Sequence, residues 1–198
     1  MSKIDCIAIY GPSGSGKTTL ISQLIAQHPD LFHFSVSHTT RRPRFGEEDG
    51  VDYYYVSKEE FLQMINNNEF IEYSEFAGNY YGTTKAMIGH IVDELKQICI
   101  LDLDLNGIFS MKEQGFNTLY IMITAPSMEE LEKRLLKRGE KKDSIERRLL
   151  VATADDDRIN RYMNNKINTH LFHKLIINKN VDDSLKTLDD FIMRKISS

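Results

Sequence analysis

Eight consecutive residues, Gly11-Pro12-Ser13-Gly14-Ser15-Gly16-Lys17-Thr18, match G-x-x-x-x-G-K-[ST] at every fixed position. The chemistry of that spacing is specific. Glycines let the backbone curl around a polyphosphate, and successive N–H groups at a helix N-terminus point at the anion. Lys17 adds a mobile charge for the outer phosphates, and the Thr18 hydroxyl is placed to hold Mg²⁺. The context is the required one, with an apolar strand-like run before the loop and an amphipathic helical pattern after it. Nucleoside-triphosphate chemistry is therefore expected, but a phosphate loop does not name the acceptor.

Two further clusters could supply one. The run Ser35-Val36-Ser37-His38-Thr39-Thr40-Arg41-Arg42-Pro43-Arg44 sets three arginines among hydroxyl residues, and a guanidinium fork binds phosphate in bidentate fashion. Downstream lie Tyr53, Glu72 and Gly78-Asn79-Tyr80-Tyr81-Gly82-Thr83. The tyrosines offer neutral phosphate donors, and Glu72 and Thr83 have the hydrogen-bonding groups to read a base edge. Residues 127–163 form the other cluster, a charged helical stretch with Arg134, Arg138, Arg147, Arg148, Arg158 and Arg161. Moving a phosphoryl group between two anions needs cations from both sides and exclusion of water, and the two arginine-rich segments meet that need.

The elements that must position these groups follow from hydrophobic pattern. Apolar runs of strand length at residues 4–10, 98–103, 119–123 and 174–177 alternate with helical patterns, beginning with residues 18–27. Near-continuous apolar strands bounded by helices predict a parallel sheet covered on both faces, a doubly wound α/β core. The aromatic-rich segment around residues 35–84 reads differently, with short strands at 53–56 and 70–76 around a helix at 58–67. It is expected to be a small inserted α+β subdomain. The expected division is a core of residues 1–34, 98–126 and 164–198, an acceptor subdomain of 35–97 and a helical lid of 127–163.

The chain has 198 residues and a formal charge of −4, without the basic excess of a general nucleic-acid binder. Cys6 and Cys99 sit inside apolar runs and read as small buried hydrophobes suited to a reducing compartment. No apolar stretch approaches the ~20 residues of a membrane span. A cytoplasmic protein with no nucleic-acid or membrane partner, monomeric or weakly self-associating, is the expectation.

The whole constellation resembles the guanylate kinase family. The residues that carry the likeness are Phe34 to Arg41, Pro43-Arg44, Gly46-Glu47, Gly50, Asp52-Tyr53, Phe70-Ile71-Glu72, Gly78-Asn79, Tyr81-Gly82-Thr83 and Leu101-Asp102-Leu103-Asp104. The resemblance implies a P-loop core with an inserted GMP-binding subdomain and a lid, and ATP-dependent phosphorylation of GMP and dGMP with Mg²⁺. It implies that Arg41, Arg44, Tyr53 and Tyr81 hold the GMP phosphate. Ser37, Glu72, Thr83 and Asp104 would read the guanine, with Asp102 beside the metal (through water) and the reacting phosphates. Gly11, Ser13, Gly14, Ser15, Gly16, Lys17, Thr18 and Thr19 would hold ATP, joined by Arg134 and Arg138. Lys17, Arg41, Asp102, Arg138 and Arg148 would form the catalytic set, and Asn178 would lie beside the adenine. His173 and Lys179 stand where the family commonly has Asp. Another nucleoside monophosphate kinase and a non-catalytic scaffold of the same fold are the competing readings.

Overall fold

The computed structural model describes residues 4–76, 78–165 and 171–197. Its first strand, β1 (Cys6–Tyr10), is buried at every position, and that follows from its neighbours. It lies between β7 (Ile98–Asp102) and β8 (Thr118–Thr124), parallel to both. With β2 (Phe32–Phe34) and β9 (Lys174–Ile177) the order is β2-β7-β1-β8-β9, and every pairing is parallel. Alternate residues feed opposite faces. Ile7 and Ile9 join a cluster with Leu20, Leu24, Leu188 and Ile192, which come from α1 (Lys17–Gln27) and α7 (Val181–Ile196). Cys6, Ala8 and Tyr10 join Ile88, Ile108 and Met111 on the other face. Both cysteines are wholly buried among these residues, as expected of small core hydrophobes.

A parallel sheet puts all its strand C-termini at one edge, and ligands bind there in open α/β sheets. Here that edge presents Gly11 after β1, Asp102 at the end of β7 and Asn178 after β9.

A second sheet, ordered β4-β3-β6-β5, contains β3 (His38–Thr39), β4 (Tyr54–Tyr55), β5 (Phe70–Phe76) and β6 (Asn79–Thr84). Its β5–β6 hairpin is antiparallel, with a bulge between Phe70 and Glu72. Phe61 of α2 (Lys58–Asn66) is fully buried and stacks on Phe70 and Tyr80 at 4.4 and 5.4 Å. A Ser57–Glu60 capping box starts α2. The chain returns to the first sheet through α3 (Lys85–Gly89), which runs on into a π-helical turn over His90–Glu94.

After β7, Asp104 caps α4 (Leu105–Lys112) by accepting the Gly107 N–H at 2.8 Å. The arginine-rich stretch forms α5 (Met128–Lys137), capped by Ser127, and the 24-residue α6 (Lys142–Asn165). Gly139, at φ 77°, allows the turn between them. None of the helices among the described residues is long and apolar enough to cross a membrane.

Candidate active site

A cleft of about 920 Å³ opens at the carboxyl edge of the parallel sheet. Gly11, Ser13, Gly14, Gly16, Lys17, Thr18 and Thr19 line one wall, and Ser37, Tyr53, Glu72 and Tyr81 line another. Asp102 and Asp104 form part of the floor, and Arg134, Lys137, Arg138 and Arg148 come from α5, its C-terminal cap and α6. Five of the sequence-predicted residues do not line it: Ser15, Arg41, Arg44, Thr83 and Asn178. Ser15, Thr83 and Asn178 are buried behind it.

The phosphate loop takes its shape from Gly14 and Gly16, at φ 89° and 92°. At these angles a Cβ would be strained. Helix α1 begins at Gly16 with no side-chain cap and no acidic residue in its first turn, so its free N–H groups and positive dipole end face the cleft. Lys17 folds back so that Nζ donates to the Gly11 carbonyl at 2.6 Å and stands 3.7 Å from Asp102. Asp102 is open to the cleft through about a third of its side chain (31% exposed). The protein around it raises its carboxyl above the usual range, and the Lys17 charge partly opposes this.

On the facing wall Glu72 is only 9% exposed. Burial pushes its carboxyl up to about 7; hydrogen bonds from Thr83 oppose the rise and the charge of Asp104 adds to it. The Thr83 and Ser37 hydroxyls lie 3.3 Å apart, so Ser37, Glu72 and Thr83 form one polar group. A Cβ on Gly107 would press on Glu72 Oε2 and Cγ at 3.2 and 3.3 Å, so the start of α4 fits closely over that carboxylate.

Arg41 rests 5.3 Å from the Tyr53 ring centre. Its fork is matched by Glu47, with Nη1 and Nη2 donating to the two carboxylate oxygens at 2.9 and 3.0 Å. Glu47 also accepts the Arg44 N–H and the Tyr55 hydroxyl, both at 2.8 Å. The side-chain bond from Arg41, followed by the Arg44 amide, holds its carboxyl down at about 2. Between α5 and α6 Glu140 plays a similar part. It accepts Arg148 Nε at 2.7 Å and stands 3.9 Å from Arg138. Arg148 also reaches the phosphate loop, donating from Nη1 to Ser13 Oγ at 2.9 Å. Arg134 bridges Glu130 and the Asn178 carbonyl at 2.8 and 2.9 Å.

Sequence reasoning missed Glu47, Glu140 and Lys137 as members of the site. Glu47 lies in a quoted motif, and its spacing of six from Arg41 carries no local signal. His173 accepts the Tyr120 N–H through Nδ1 at 2.9 Å, so it supplies an acceptor where an Asp commonly stands.

Comparison with known proteins agrees with this geometry. The family model described as guanylate kinase matches residues 3–195. Guanylate kinase of Sus scrofa is 40% identical over 191 residues, covering 96% of this chain and 92% of the relative. Guanylate kinase of Clostridium perfringens (strain SM101 / Type A) is 39% identical over 188 residues, covering 94% and 82%. The crystal structure of guanylate kinase from Anaplasma phagocytophilum superposes with a TM-score of 0.75 at 27% identity, covering all of this chain and 88% of that one. The SH3-kinase fragment of tight junction protein 3 has the same fold at 13% identity and a TM-score of 0.54. A complete phosphate loop, a carboxylate facing it across the cleft, arginines from α5 and α6 and a match over nearly the whole length place this chain in the guanylate kinase family.

Proposed function

We propose that the protein transfers the γ-phosphoryl of ATP to GMP, and to dGMP, by direct in-line displacement. One observation carries the reading: a single cleft is lined by a complete phosphate loop, by the Ser37–Tyr53–Glu72–Tyr81 wall and by lid arginines. Residues 1–34, 98–126 and 164–198 act as the donor-holding core, 35–97 as the acceptor arm and 127–163 as the lid.

The residue roles follow from their chemistry. Gly11 to Thr19 cradle the donor phosphates, with Lys17 leaving its Gly11 and Asp102 contacts to serve the transferring group. Arg41, Arg44, Tyr53 and Tyr81 hold the acceptor phosphate. Glu72 accepts the N1–H and 2-amino donors of guanine with Asp104 beside it, while Ser37 and Thr83 donate to O6. Arg134, Arg138 and Arg148 bring positive charge from the lid. An acceptor phosphate oxygen is already an anion, so the protein supplies no base; it supplies position and charge.

The oxygen donors Thr18 and Asp102 suit Mg²⁺, which favours one or two protein oxygens together with water and substrate phosphates. Thr18 would hold it directly and Asp102 through water. When bound, it would neutralise charge on the donor's phosphates.

Incubation with ATP labelled at the γ-phosphate, together with GMP, is expected to place the label on the β-phosphate of GDP. Label released as inorganic phosphate at the same rate with and without GMP would replace this reading with that of a nucleoside triphosphatase.

A further inference from the structure

The residue after β9 joins three parts of the donor site. Asn178 is polar and only 2% exposed, and its backbone N–H, its carbonyl and its side-chain N–H are each engaged within the protein. Its N–H donates to the Thr124 carbonyl at 2.7 Å, continuing the β8–β9 ladder. Its side-chain Nδ2 donates to the Ser15 carbonyl at 2.8 Å. Its own carbonyl accepts Arg134 Nη2 at 2.9 Å. The amide also packs flush on Gly16, where a Cβ would collide with Nδ2.

The Ser15 bond bears on phosphate binding through covalent geometry. A peptide unit is planar and trans, so fixing a carbonyl fixes the direction of the next N–H. Holding the Ser15 carbonyl therefore aims the Gly16 N–H, which lies where the loop enters α1. With 2% of its surface open, Asn178 has almost nothing to offer the edge or face of a base.

We propose that Asn178 is a positioning residue for the donor's phosphates, aiming the Gly16 N–H through Ser15 and seating Arg134. This rests on the reading that the P-loop holds the donor's phosphates. It differs in kind from a role in reading adenine, because it predicts that the base does not matter.

Calorimetric titration of the full chain separates the two roles, using ATP, ITP and inorganic tripolyphosphate as probes. ITP alters the base edge, and tripolyphosphate has no base. Asn178→Ala is expected to weaken all three by a common factor, roughly 5- to 150-fold for a buried hydrogen bond lost at one end, leaving the ATP-to-ITP ratio unchanged. Asn178→Asp conserves the volume should the alanine variant not fold. It sets an acceptor against the Ser15 carbonyl, so it too is expected to weaken all three alike. A loss confined to ATP, with tripolyphosphate binding retained, would overturn the proposal in favour of adenine recognition. Undiminished binding of all three would overturn it outright, and so would failure of the unmodified protein to bind tripolyphosphate. None of these titrations needs GMP, so they stand even if transfer to GMP fails.

Discussion

Lys17→Ala is expected to lower kcat for phosphoryl transfer by roughly two to three orders of magnitude, the cost of removing one preorganised charge from a transition state. The fold should survive. Among the described residues the Lys17 ammonium contacts the Gly11 carbonyl and Asp102, both at the cleft, and the neighbouring core is built by Leu20 and Leu24 further along α1. Circular dichroism and the thermal midpoint should therefore stay close to those of the unmodified protein. Near-normal turnover in a folded Lys17→Ala variant would remove the donor site from its assigned place.

The second large effect concerns base choice. Guanine offers two adjacent donors, N1–H and the 2-amino group, and an ionised carboxylate accepts both. In Glu72→Gln one acceptor becomes a donor that opposes the 2-amino group. Losing a charge-assisted bond costs roughly 1.5–3 kcal/mol, so kcat/KM for GMP should fall about 10- to 150-fold. IMP has no 2-amino group and should lose less, which narrows the GMP-to-IMP ratio. An unchanged ratio would mean that Glu72 does not read the base.

The same carboxyl makes two pH-dependent statements. It is raised to about 7, first by burial, and guanine needs it ionised. Below about pH 7 the free protein must lose a proton before binding, so kcat/KM for GMP should fall by about tenfold per pH unit, and Glu72→Gln should lack that limb. For stability, the folded value lies above the unfolded one, so this group's contribution is fully present below about pH 4.5 and is lost as pH rises through 7. Holding this carboxyl at about 7 costs the ionised fold on the order of 3 kcal/mol. Glu72→Gln is therefore expected to raise the thermal midpoint by several degrees at pH 8 and hardly at all at pH 4. The carboxylate proposed to select guanine is held at a cost to the fold.

Much of this site was legible in the sequence because its chemistry is contiguous. The phosphate loop is eight residues in a row, and its strand and helix carry ordinary hydrophobic periods. The strand expected at 174–177 is β9 to the residue, and those at 98–103 and 119–123 are β7 and β8 to within one residue at each end. The helix expected at 58–67 is α2, ending one residue earlier at Asn66. Strand β3 was not legible. It is two residues long and is held by partners distant in sequence, with His38 and Thr39 pairing with Tyr54 and Tyr55 on one side and with Gly82 and Tyr81, some forty residues away, on the other. Nor could any local pattern show that Arg148 would reach Ser13 across 135 positions, or that Asn178 would turn its amide inward to Ser15. Arg41 posed a different difficulty. Its cation was evident, but the glutamate that orients it declared itself only once the loop had folded.

The most direct test of the account is a coupled assay with saturating ATP against GMP, dGMP, IMP, AMP, CMP and UMP. The cleft predicts efficient turnover of GMP, with dGMP accepted, IMP well below GMP, and AMP lowest of these purines, since adenine would set its N1 lone pair against the buried Glu72 carboxylate. Turnover of AMP, CMP or UMP equal to or above that of GMP would contradict the assignment of Ser37, Glu72 and Thr83 as a guanine reader, and with it the proposed reaction.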